Sequence, residues 1–163
     1  MTQGTYLPTD LLDEMEGVLN QLQQKTQATR VLLADVSGQL ICTVGHNEGF
    51  DAASVAALTA SDMSATAELA RQLGEAKPFR MLFHEGEQRH LYLSDVGNSL
   101  ILIVVFETRV PIGLVRVFTE RAARELLPLK GRYETALEHA GGIVSEAFDE
   151  SLLDELDEAF GSI

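Results

Sequence analysis

The chain has 163 residues, 45% of them apolar, which suits one folded domain with a real core and argues against disorder along its whole length. Its net charge of −13 repels nucleic acid and anionic lipid and favours a basic protein surface as partner. The longest apolar run, seven residues at Leu100–Phe106, is far short of the roughly 20 that span a bilayer. The opening Met1-Thr-Gln-Gly-Thr-Tyr6 lacks the basic and apolar parts of a secretory leader. Cys42, the single cysteine, has no partner for an internal disulfide; the expected setting is the reducing cytoplasm.

Leu11, Met15, Val18 and Leu22 recur at helical spacing, with Thr9 or Asp10 as candidate cap after Pro8, and predict a first helix. Two strands follow at about Arg30–Asp35 and Gln39–Gly45. They are joined by Asp35-Val-Ser-Gly38, where Gly38 can take positive φ and Asp35 can bond the turn backbone. After the polar His46–Gly49 loop, a second helix runs from near Asp51 to Leu73, with Gly74 as its stop. It is rich in small residues (Ala52, Ala53, Ala56, Ala57, Ala60, Ser61, Ser64, Ala65, Ala67, Ala70), while Val55, Leu58, Leu69 and Leu73 are expected to form a thin stripe facing its own core. So many small side chains either serve helix propensity alone or let another helix approach closely, including one from a second subunit.

Three strands come next, at Phe79–Glu85, Arg89–Ser94 and Leu100–Glu107, separated by turns at Gly86 and Asp95–Asn98. Short connections make the sheet antiparallel. Leu100–Phe106 has no polar member and must be covered on both faces, so it belongs at the centre of a sheet sandwiched by helices. The third strand carries Phe79, Met81 and Phe83 and is apolar enough to be hazardous as a free edge; pairing with its own copy would remove the hazard. A third helix is expected from Pro111 to about Leu127.

From Tyr133 to Ile163 there are nine carboxylates and no Lys or Arg. This segment reads as an acidic extension, partly helical or disordered, following a folded domain of residues 1–132. Gly141-Gly142 is its candidate hinge, and Leu152, Leu153, Leu156 and Phe160 fall on one face of a short amphipathic helix.

Motifs for chemistry are missing. The chain contains no P-loop, dinucleotide fingerprint, His-Glu-x-x-His or Cys-x-x-Cys. His84 and His90 flank the Gly86 turn, where they could make a weak metal site but are more simply solvated residues. Ser37 is a turn former rather than a nucleophile, and Cys42 a small buried hydrophobe. No cofactor and no enzymatic activity are expected.

The Leu32-Leu-Ala-Asp-Val-Ser-Gly38 hairpin, the helical Ala65-Thr-Ala-Glu-Leu-Ala-Arg-Gln-Leu-Gly-Glu75 and Leu100–Phe106 followed by Pro111-Ile-Gly113 together resemble the Roadblock/LC7 family, and within it the bacterial MglB-like regulators of a Ras-like GTPase. The resemblance spans roughly residues 10–128. It implies an α/β sandwich of profilin-like type, with a five-stranded antiparallel sheet in the order 2-1-5-4-3. It also implies a homodimer in which second helices and third strands pair, with Ala57, Ala60, Phe79, Met81 and Phe83 at the seam. Such proteins activate an MglA-like small GTPase by docking and reshaping it, without donating a catalytic arginine. The docking surface carried over is Ser61, Ser64, Ala65, Glu68 and Arg71 on the second helix. Two other readings stand beside this one: a Roadblock-fold scaffold or adaptor without effect on GTP hydrolysis, and a PAS- or GAF-like ligand sensor. The sensor needs an interior pocket. Leu33, Leu91, Leu93, Ile101, Ile103, Val105, Val115 and Phe118 instead look like a filled core.

Overall fold

The computed structural model describes residues 7–46 and 49–160, with side chains through Gly141. The N-terminal Met1–Tyr6 stretch and the face containing Leu152, Leu153, Leu156 and Phe160 therefore lie outside the described residues or side chains. The elements follow the order α1 (Thr9–Thr26), β1 (Arg30–Asp35), β2 (Leu40–Gly45), α2 (Ala52–Gln72), β3 (Met81–His84), β4 (Arg89–Val96), β5 (Leu100–Glu107) and α3 (Ile112–Phe160). All five strands form one antiparallel sheet in the order β2-β1-β5-β4-β3.

β5 lies at the centre of the sheet, with every residue from Leu100 to Phe106 buried. Alternate residues serve two separate cores. Toward α1 and α3, Leu100, Leu102, Val104 and Phe106 meet Leu11, Met15, Leu19, Leu22, Val115, Leu126 and Tyr133. Toward α2, Ile101, Ile103 and Val105 meet Leu32, Leu93 and the alanines Ala52, Ala56 and Ala60. Burying large apolar side chains on both faces is the main source of stability. The core positions expected from the sequence are filled: only Leu91 and Phe118 are half-buried, and both pack against a core.

The β1–β2 turn forms as its residues dictate. The Ser37 and Gln39 amides donate to Asp35 Oδ1 at 2.9 and 3.0 Å, and Gly38 takes φ +91°. A Cβ on Gly38 would lie 2.9 Å from the Ala57 Cα, so this glycine also lets the turn press against the backbone of α2.

Two helix ends depart from expectation. Pro8, with no side-chain cap, precedes α1, and its carbonyl accepts from the Leu11 and Leu12 amides at 3.1 and 3.2 Å. α3 does not stop near Leu127. It runs through Pro128, Gly141 and Gly142 to Phe160 without a break. Pro128 lacks the amide that would bond the preceding turn, which ordinarily ends or kinks a helix. Tertiary contacts just beyond it keep the helix going. The Tyr133 ring is buried and its hydroxyl donates to Asp35 Oδ2 at 3.0 Å, Arg132 bridges Asp10 and Glu14 of α1 at 2.6 and 2.7 Å, and the Ser99 hydroxyl bonds Glu134.

Candidate protein-docking surface

α2 is set in place at both ends. The Asp51 carboxylate accepts from the Ala53 and Ser54 amides at 3.3 and 3.1 Å. The Ser54 side chain and backbone bonds, in that order, hold the Asp51 pKa below the usual carboxylate range. At the other end Gly74 takes φ +80°, the Gly74 amide reaches the Arg71 carbonyl and the Glu75 amide reaches the Ala70 carbonyl, a glycine-terminated stop.

Between these ends the helix is turned opposite to the expected way. Its small residues Ala52, Ala56, Thr59, Ala60 and Ala70 face the sheet, with Val55 and Met63 partly buried beside them. The leucines expected to face the core point outward: Leu58, Leu69 and Leu73 are 70%, 58% and 72% exposed. The reason is space, because Gly38 and the alanines bring the α2 backbone too close to the sheet for leucine to fit between them. With Ala65, also exposed, these leucines recur at seven, four and four residues and make one apolar row along the helix.

Beside this row runs a polar one. Ser61, Ser64, Glu68 and Arg71 are all exposed, so with Ala65 the structure brings the expected docking residues onto one solvent-facing side of α2. Ser61 Oγ donates to the Ala57 carbonyl at 3.2 Å. Glu68 and Arg71 pair at 2.5 Å, and Gln72 donates to Glu68 at 2.7 Å. The hydrogen bond from Arg71, then that from Gln72, lowers the Glu68 pKa.

Of the residues expected at a seam, Ala57 is exposed on α2 and Phe79 and Met81 are exposed at β3. Ala60 is instead buried against the sheet of its own chain. Phe83 is half-buried toward the α1/α3 side, its ring 6.4 Å from that of Phe106. β3 pairs only with β4, so its outer edge carries no strand among the described residues. His84 Nε2 lies 2.5 Å from Asp62 Oδ2 and ties this edge strand to α2.

Features with other chemistry lead elsewhere. His84 reaches Asp62 of α2, whereas His90 packs edge-on against Phe83 and Phe106 on the opposite face, so the two do not converge on a metal. Among the described residues no three metal-binding side chains cluster. Burial pushes the Cys42 thiol up to about 12, with Glu16 adding a smaller repulsion, which keeps it protonated and unreactive. A hollow of about 320 Å³ between the end of α1 and the end of β5 is lined by Gln23, Gln27, Thr29, His46 and Arg109 and opens widely to solvent. Among the described residues, no helix is long and apolar enough to cross a membrane.

The order of strands and the single helix on one face against two on the other define the sandwich shared by Roadblock and profilin proteins. Residues 14–106 match the model of the Roadblock/LC7 domain, and the chain belongs to that family. Myxococcus xanthus MglB superposes with a TM-score of 0.73 at 33% identity, covering 78% of this chain and 95% of that one. The gliding protein MglB from Thermus thermophilus gives 0.69 at 28% identity, with 76% and 93% covered. Schizosaccharomyces pombe profilin, at 12% identity and a TM-score of 0.51 over 71% and 98%, shares the fold alone. No curated protein matches the chain in sequence.

Proposed function

We propose that this protein is a non-catalytic, homodimeric regulator of a Ras-like small GTPase of the MglA-like kind, acting as a GTPase activator in the cytoplasm. The observation that carries the reading is the outward row of Leu58, Ala65, Leu69 and Leu73 on α2, together with the edge of β3, which is tied to α2 through His84 and Asp62 and carries no further strand among the described residues. Contiguous apolar surface of this sort favours a protein partner. In the reading, the leucine row and the β3 edge with Phe79 and Met81 pair with a second copy. Ala57 borders that seam. Ser61, Ser64, Glu68 and Arg71 then present the docking side to the GTPase, and Ala65, expected among them, lies where that side meets the seam. Similarity to MglB over most of both chains supports the reading as a GTPase regulator. Within it, residues 1–132 form the domain and residues 133–163 an acidic extension of it.

The test is GTP hydrolysis by a Ras-like GTPase from the same organism, with and without this protein. Faster turnover supports the activator. Binding without acceleration moves the reading to a Roadblock scaffold, and absence of binding retires both. The seam has its own test. Ala65→Arg places a charge in the middle of the leucine row, and the dimer should fall to a monomer with an unchanged helical circular-dichroism spectrum.

A further inference from the structure

α3 is split by charge. Its residues 112–132 hold five bases and two acids, whereas residues 133–160 hold nine acids and no base. The first half of α3 also shows an unpartnered outward face. Ile112, Leu114 and Val117 are 42%, 39% and 62% exposed, and Arg116, Arg121 and Arg124 are exposed among them. Arg116 pairs with Glu120 and Arg121 with Glu125, each at 3.2 Å, while Arg124 Nε donates to the Glu120 carbonyl. Such solvent-exposed pairs one helical turn apart are weak and exchange readily for a better partner.

We propose that this face docks the acidic last part of α3 from a second copy of the chain. The two chemistries match. Glu150, Asp154, Asp157 and Glu158, which helical spacing sets on the side away from Leu152, Leu153 and Leu156, would oppose the arginines, with Glu155 flanking them. The occupant must come from another copy. From residue 120 to residue 154 a continuous helix rises about 50 Å, so the acidic segment cannot fold back onto its own basic half. An antiparallel arrangement of two α3 helices satisfies both ends at once, each acidic segment lying on the other copy's arginines, as a two-fold interface requires. Pro128, Gly131 and Thr135 are exposed at three- and four-residue steps beyond Arg124, and a Cβ on Gly131 would meet nothing within 4 Å, so the same side of the helix stays open toward the crossing point.

This contact does not rest on GTPase regulation. It lies across the sheet from α2, so it adds to the leucine-row seam rather than competing with it. Light scattering on the full chain tests it, at about 20 mM and about 500 mM salt, where the screening length falls several-fold. The wild type should roughly double in mass at low salt relative to high salt. Arg116→Glu/Arg121→Glu/Arg124→Glu and Asp154→Lys/Glu155→Lys/Glu158→Lys should each keep the high-salt mass in both buffers, with helical circular dichroism retained. Mixing these two variants should restore the larger species at low salt, because each supplies the sign the other lacks. A wild-type mass independent of salt, variants that still associate at low salt, or a mixture that does not associate would each overturn the proposal. GTP hydrolysis read on the same samples separates this outcome from the regulator reading.

Discussion

The two faces of the sheet are built in opposite ways. Toward α1 and α3, large side chains do the packing, with Leu11, Met15, Leu19, Phe106, Tyr92, Leu126 and Tyr133 all buried within one chain. Toward α2 the helix contributes mainly alanines, and its leucines point into solvent. The first face is completed by the chain itself. The second hides its small residues and displays its large ones, which makes sense only if something else covers them. Apolar content alone does not say whether a helix serves the core of its own chain or an interface; the size of the residues on its inner side does.

The contrast can be broken by mutation. Phe106→Ala on the large-residue side should cost about 3–5 kcal/mol in denaturant unfolding, through lost burial and the cavity left behind. On the small-residue side enlargement is what hurts. Ala56→Leu, on the sheet-facing side of α2 and fully buried, should cost about 1–3 kcal/mol by overpacking. Equal tolerance of Leu at this position and at an exposed alanine would show that α2 does not lie close on the sheet. Tyr133→Phe removes the hydroxyl donor to the buried Asp35 and should cost about 1–2 kcal/mol. Leu69→Glu should change the stability of an isolated chain by no more than about 0.5 kcal/mol, as surface substitutions do, while abolishing the dimer through the leucine row.

The smallest effect concerns the contacts that carry α3 past Pro128. The hydrogen bond from Ser99, and secondarily the charge of Lys130, holds the Glu134 carboxyl below its ordinary pKa. A depressed carboxylate contributes stability that is complete above the ordinary value and is lost as pH falls through the lowered, folded one. An NMR titration should find Glu134 titrating below the usual glutamate range in the wild type and returning toward it in Ser99→Ala. A titration unaffected by that substitution would place the cause elsewhere.

Much of the fold is readable in the sequence, for physical reasons. An all-apolar Leu100–Phe106 has to sit between two layers, and Asp35-Val-Ser-Gly38 has to turn, so the central strand and the hairpin follow. The candidate docking surface is legible in part. The exposed Ser61, Ser64, Glu68 and Arg71 lie where helical spacing puts them, but α2 faces the opposite way from the expectation that its leucines seek the core of their own chain. The signal is present: Ala52, Ala56, Thr59, Ala60 and Ala70 recur at helical spacing, and a stripe that uniformly small fits only a close approach to the sheet. The continuation of α3 is not visible locally. Proline is a local breaker, whereas the bonds that override it come from Asp10, Glu14, Asp35 and Ser99, distant in sequence.

The central claim, that the leucine row of α2 and the edge of β3 are covered by a second copy, is tested most directly by the solution mass of the wild-type chain at about 500 mM salt, where charge contacts are screened and apolar burial persists. The expected mass is twice the chain mass of 17.8 kDa, falling to 17.8 kDa in Leu69→Glu. A wild-type mass of 17.8 kDa under the same conditions would contradict it.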